Sequence, residues 1–326
     1  MEGNLAEFLE VVYRHLERVR RDGLRGRLVR LLARRQGNSE DRARQNITHH
    51  YDIGNDFYRL WLDEQMVYTC AYVPTPETSL EEAQTAKLDY ICRKLRLKPG
   101  DRVVEAGCGW GALAMYMARH YGVKVKAYNI SREQVAHARD LARAGGLEDR
   151  VEFIEDDYRA IRGEFDAFVS VGMLEHVGVD NYAALGEAID RVLAPNGRGL
   201  IHTIGRDVPG PMNEWIERRI FPGAYPPSLS EITEILEPSG LSVQDVENLR
   251  LHYARTLEHW WQRYEANAEQ VCDMFDETFM RAWRVYLAGS IAAFTSGALQ
   301  LFQVVFTRHG SNELAWTRDF LYREPS

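Results

Sequence analysis

Apolar residues recur at helical spacing near the start of the chain: Leu5, Phe8, Leu9, Val12, Leu16 and Val19, then Leu24, Leu28, Leu31 and Leu32 after Gly23. The period predicts helices over residues 4–35. Arg14, Arg18, Arg21 and Arg25 fall mostly on the other side. Such a segment either lies in a membrane interface or packs its apolar stripe on the protein body. Residues 36–46, QGNSEDRARQN, read as a polar hinge. A stretch dense in aromatics, without a clean period, follows. Ser79 with Glu82 three residues on is a capping box and starts a helix, which Lys98-Pro99-Gly100 closes.

From Arg102 the pattern alternates. Strands are expected at Arg102–Ala106, Lys124–Asn129, Val151–Ile154, Phe168–Val171 and Gly199–Thr203. Helices are expected at Ala112–His120, Arg132–Ala144 and Tyr182–Leu193. Strand–helix alternation with short connections predicts a parallel α/β sheet, with its binding crevice at the carboxyl ends of the strands. After Gly205 the pattern changes to a capped helix (PPSLSEITEILEPSG), a strand (LSVQDVENL), long helices rich in Trp and Tyr over residues 254–297, and a last strand (LQLFQVVFTRH). There is no internal repeat.

Composition narrows the function classes. The 326 residues, 45% hydrophobic, suit one large domain or two modest ones. A net charge of −8 argues against nucleic-acid binding. Residues 1–45 hold eleven arginines against seven carboxylates, a basic arm on an acidic body, which points to an anionic partner such as a membrane surface. Cys70, Cys92, Cys108 and Cys272 form no CxxC pair and no metal-ligand spacing, so reduced thiols and no metal are expected. With no bilayer-length apolar run and no signal-peptide pattern, the expected location is cytoplasmic.

The candidate chemistry starts at EAGCGWG. Gly107, Gly109 and Gly111 follow the first strand as GxGxG, which is neither the dinucleotide GxGxxG nor a P-loop. Glu105 stands two residues before them, where a pyrophosphate would want positive help. An acid at the mouth of the turn suits a cationic ligand end. S-adenosylmethionine has an ammonium and a sulfonium and no phosphate, and a glycine turn lets backbone approach it closely. Asn129 ends the second strand where an acid for ribose hydroxyls is usual, and Gln134 lies one turn into the next helix. Asp156 or Asp157 is offered to the adenine amino group. A purely structural strand–helix turn remains the alternative for the glycines.

HHYDIGNDFY, YTCAY, EAGCGWG, VSVGMLEHVG, HTIG, WIERRIFPGAYPPS, HYARTL and LQLFQVVF, in this order from about Ile47 to Arg308, together resemble the cyclopropane-fatty-acyl-phospholipid synthases and mycolic acid cyclopropane synthases. The resemblance implies a class I methyltransferase (Rossmann-like) fold, with a mixed seven-stranded sheet and a helical cap. It implies this organisation: a basic helical segment (1–45), a cap and donor-closing segment (46–98), a donor-binding core (99–206), and an acyl-binding helical insertion with the final strands (207–326).

It also implies S-adenosylmethionine as methyl donor, the cis double bond of an unsaturated phospholipid acyl chain as acceptor, and bicarbonate as the base that deprotonates the resulting carbocation. Matched motif by motif, the bicarbonate cradle falls on Cys70, Glu175, His202, Ile204 and Tyr286, with Cys70 and Ile204 acting through backbone. Donor contacts fall on Tyr51, Tyr68, Thr69, Gly107, Gly109, Asn129, Ile130 and Gln134. His176 is left out of the site as a core histidine. The family's members are often dimers, so a homodimer at the inner face of a membrane is expected. The alternatives are a methylene- or methyl-branched product, a small-molecule N-methyltransferase, and a non-catalytic lipid-binding protein. About 45 residues precede the HHYD motif, against far more in the bacterial phospholipid enzymes and fewer in the mycolic ones, and Val73 replaces a bulky aromatic.

Overall fold

In a computed structural model, residues 4–21 and 53–322 are described. The segment at 24–35, the hinge at 36–46 and Tyr51 lie outside the described residues.

Helix α1 (Leu5–Arg21) follows the predicted period. After α2 (Asn55–Arg59) comes α3 (Leu80–Leu95), whose Ser79/Glu82 capping box is formed in both directions. The alternating region then gives β1 (Arg102–Ala106), α4 (Ala112–Tyr121), β2 (Lys124–Asn129), α5 (Arg132–Ala144), β3 (Val151–Glu155), β4 (Phe165–Val171), α6 (Tyr182–Val192) and β5 (Leu193–Gly205). The remainder is α7 (Glu214–Arg219), α8 (Leu229–Leu236), β6 (Leu241–Asn248), α9 (Arg250–Ala266), α10 (Ala268–Met274), α11 (Glu277–Ser296) and β7 (Gln300–Arg308).

Among the described residues, seven strands form one sheet in the order β3-β2-β1-β4-β5-β7-β6. The strands β1 to β5 are parallel, and β7 runs antiparallel to both β5 and β6. The alternation foresaw the parallel part. The sheet is mixed because β7 inserts between β5 and β6 from the chain's far end.

Period-two alternation sends neighbouring strand residues to opposite cores. Val103 joins Leu88, Leu113 and Val135 under α3, α4 and α5. Val104 joins Leu185, Ile189 and Ile235 under α6 and α8. A third cluster is aromatic and lies over the strand ends, where Phe57, Trp61, Trp110, Trp260, Tyr264 and Trp283 pack together. The long helical stretch expected over 254–297 is three pieces. Asn267 interrupts it by donating to the Leu60 carbonyl (2.9 Å), and Asp276 caps α11 by accepting from Phe279 N (2.6 Å).

The switch point of the sheet lies where β1 has β2 on one side and β4 on the other. Connections leaving such neighbours part to opposite faces and open a crevice. The aromatic cluster roofs it.

Candidate active site

A predominantly apolar cavity of about 510 Å³ fills this crevice. The loop after β1 forms its floor. Gly109 has a left-handed φ of +52° and open space where a Cβ would stand. Gly107 (φ +83°) is pressed by Met173, 2.8 Å from where its Cβ would be. Both line the cavity, as do Glu105, Asn129, Gln134, Tyr68 and Thr69. Asn129 donates to Gln134 Oε1 (2.8 Å) and to the Gly109 carbonyl (3.2 Å), tying the end of β2 to the glycine turn.

Gly111, Ile130, Asp156 and Asp157 lie outside that lining. Gly111 (φ +87°) is required by packing, since a Cβ there would stand 2.5 Å from the Phe153 ring. The Asp157 carboxylate is engaged by Arg159, through its backbone amide (2.9 Å) and its guanidinium (3.0 Å). Asp156 accepts from the Asp157 amide (2.8 Å).

The five residues matched to the cradle, Cys70, Glu175, His202, Ile204 and Tyr286, all line the cavity. Glu175 stands in a short 3-10 helix, Leu174–His176, just past β4. Its Oε1 accepts from the Ile204 amide (2.6 Å), and its buried Oε2 has no partner. Burial raises its pKa to about 7, against the opposing pull of that amide. His202 in β5 is 1% exposed. Gln303 of β7 donates to its Nδ1 (3.0 Å), an orientation that puts the ring's proton on the unpartnered Nε2. Burial, then the nearby Lys87 and Lys94, hold the imidazole neutral.

From the cap, the Tyr286 hydroxyl meets that of Tyr68 at 2.8 Å. Burial pushes the Tyr286 phenol and the Cys70 thiol upward, so both stay protonated. The sequence-based site left out further lining residues, among them Lys87, Trp110 and His176. His176 is half-buried against Phe221, ring centroids 6.0 Å apart, and burial pushes its pKa down to about 4. Its place beside Glu175 was the available signal.

This sheet order, with a crevice at the strand ends under a cap, is that of a class I methyltransferase. A family model described as mycolic acid cyclopropane synthetase matches residues 38–304. The chain belongs to that family and is an S-adenosylmethionine-dependent methyltransferase. It is 42% identical over 288 residues to a probable fatty acid methyltransferase of Pseudomonas putida, covering 85% of this chain and 73% of that one. It is also 42% identical over 270 residues to the cyclopropane-fatty-acyl-phospholipid synthase of Escherichia coli K12, covering 82% and 69%. Among solved structures, mycolic acid cyclopropane synthase CmaA1 complexed with SAH and CTAB superposes with a TM-score of 0.77 at 31% identity, over 81% of this chain and 97% of that one.

Proposed function

We propose that this enzyme methylates the cis double bond of an unsaturated acyl chain in a phospholipid and closes the product to a cyclopropane. When bound, the donor supplies an electrophilic methyl group. An alkene needs no prior deprotonation, so the protein's task is to exclude water and to survive a cation. The cap does both. Tyr68 packs at 5.1 Å from Trp61 and 5.3 Å from Trp260, and Tyr286 at 5.6 Å from Phe221. Such ring faces attract positive charge.

The proton leaving the cation needs a base, and the structure fits an anion there. Glu175 with a raised pKa, His202 Nε2–H and the Tyr286 hydroxyl are three donor groups on residues that line one predominantly apolar cavity. They are the groups that would hold bicarbonate, which would supply the base. The Ile204 amide departs from this set, because Glu175 already occupies it. The observation that carries the reading is the pair of buried, unpartnered atoms, Glu175 Oε2 and His202 Nε2, on residues that line a predominantly apolar cavity of about 510 Å³.

A membrane surface is part of the proposal. Among the described residues, no helix is long and apolar enough to cross a membrane. Tyr13 and Leu16 of α1 line the cavity, while Phe8 and Val11 lie exposed on the same helix, so lipid would meet the cavity at this helix.

The test is incubation with S-adenosylmethionine, bicarbonate and monounsaturated phospholipid vesicles, followed by proton NMR of the released fatty acids. Upfield ring protons support the proposal. Vinylidene protons assign a methylene-branched product instead. Unchanged lipid overturns both.

A further inference from the structure

Lys87 of α3 is the least explained group in the cavity. It is 2% exposed, yet it lines the space. Its ammonium donates to Thr69 Oγ1 (2.9 Å), and among the described residues it has no ion pair. The carboxyl groups that act on it electrostatically are those of Asp63 and Glu105. Both Asp63 oxygens accept backbone amides, from Val67 (2.8 Å) and Gln65 (3.1 Å). Glu105 Oε2 is buried with no partner. A buried ammonium without a close counter-ion is costly, and so is a buried carboxylate. Burial pushes each toward its neutral form. Two such groups of opposite sign on one cavity wall describe the complement of a zwitterion.

We propose that Lys87, beside Thr69, seats the α-carboxylate of the donor's methionine portion, while Glu105 takes its α-ammonium. This rests on the reading of S-adenosylmethionine as donor. The two charges of an amino acid sit on one carbon, so the site needs a cation and an anion close together, and Lys87 with Glu105 supplies both. Bicarbonate has no cationic part and would leave Glu105 unpartnered. Arg206, another cation in the lining, directs its Nη1 to the carbonyls of Gly210 and Pro211 (both 2.8 Å). Thr69 is thereby held from both sides: Lys87 on its hydroxyl, and Gln84 on its carbonyl (2.9 Å).

The experiment measures, by calorimetry without lipid, the affinity of wild type and Lys87→Met for S-adenosylmethionine and for its decarboxylated form, which keeps the ammonium and lacks the carboxylate. The variant is expected to lose about tenfold or more in affinity for the intact donor, the worth of one charge-assisted contact. Its affinity for the decarboxylated form stays within about twofold. Equal losses on both ligands would mean that Lys87 only shapes the Thr69 loop, and would overturn the proposal. Unchanged affinity for both, with a raised bicarbonate requirement in turnover, would assign Lys87 to the other anion and overturn it too. Should Lys87→Met not fold, wild type alone decides, because equal binding of the two ligands leaves no carboxylate seat to explain. Failure of the broader function looks different: the donor binds selectively and the lipid is unchanged.

Discussion

The hydroxyls of Tyr68 and Tyr286 meet at 2.8 Å across 218 residues of sequence. One comes from the loop before α3 and the other from α11, so the contact joins two segments that line the cavity from distant parts of the chain. When one hydroxyl donates, the other keeps its own proton free for the cavity. Tyr286→Phe removes that donor and its contact with Tyr68. The expected loss of stability is about 1 kcal/mol. Turnover is expected to fall by about 10²-fold, while S-adenosylhomocysteine binding stays near wild type. Equal losses in turnover and donor binding would mean that the pair merely holds the cavity together.

Glu175 gives a pH dependence with a defined sign. Its folded pKa is raised by burial from 4.5 to about 7, so the folded protein holds the proton more tightly than the unfolded chain. That contribution is complete below about pH 4.5 and is lost as pH rises through about 7. The gap corresponds to on the order of 3 kcal/mol. Glu175→Gln cannot ionise. Its melting temperature should gain on wild type between pH 5 and pH 8.5, while turnover falls and donor binding persists. Parallel melting curves across that range would place the carboxyl in contact with water.

The sheet was readable because period-two apolar runs and glycine or proline boundaries agree locally, and β2 and α5 have the boundaries that the pattern predicts. Phe165 escaped the reading because Asp166 interrupts its apolar run, and the pairing with β5 shifts register at that point. Cavity-lining residues were legible only where a motif marks them, as at Glu175 and His202. Lys87 carries no such signal. It sits among apolar positions of an amphipathic helix, and only the fold shows that its position faces the cavity. Asp156 and Asp157, acids that the sequence offers at a strand end, lie outside the cavity lining.

Gly109 and Gly111 separate ligand approach from packing. Alanine at Gly111 would meet Phe153 at 2.5 Å in a left-handed conformation, and strain plus overpacking should cost about 2–4 kcal/mol. Alanine at Gly109 meets no atom within 4 Å and should cost about 1 kcal/mol of backbone strain. Because its methyl projects where the donor is proposed to lie, Gly109→Ala should bind S-adenosylhomocysteine at least about tenfold more weakly. Thermal melts and calorimetry on the two variants check this. Donor binding retained in Gly109→Ala would show that the ligand lies elsewhere.

Helix α1 has two apolar flanks with different fates. Leu5, Ala6, Leu9 and Tyr13 are half-buried, with α1 packed on α11. Phe8 and Val11 are 52% and 69% exposed, and Val12 and Leu16 are also exposed. The sequence left packing and membrane contact as alternatives for this helix. The geometry allows both, because an apolar arc this wide exceeds what one neighbour covers. The exposed flank ends at Leu16 on the cavity lining, so a lipid surface meeting it would present acyl chains at the opening. Phe8→Ser with Val11→Ser removes about 1–3 kcal/mol of interfacial burial per side chain. Partition onto anionic, monounsaturated vesicles is expected to fall tenfold or more, by about 1.4 kcal/mol per decade, with turnover of detergent-dispersed substrate unchanged. Removal of residues 1–35 should add a salt-dependent loss, because that segment carries the excess arginine. Vesicle binding that survives the double substitution would restrict α1 to packing and move the membrane contact to another face.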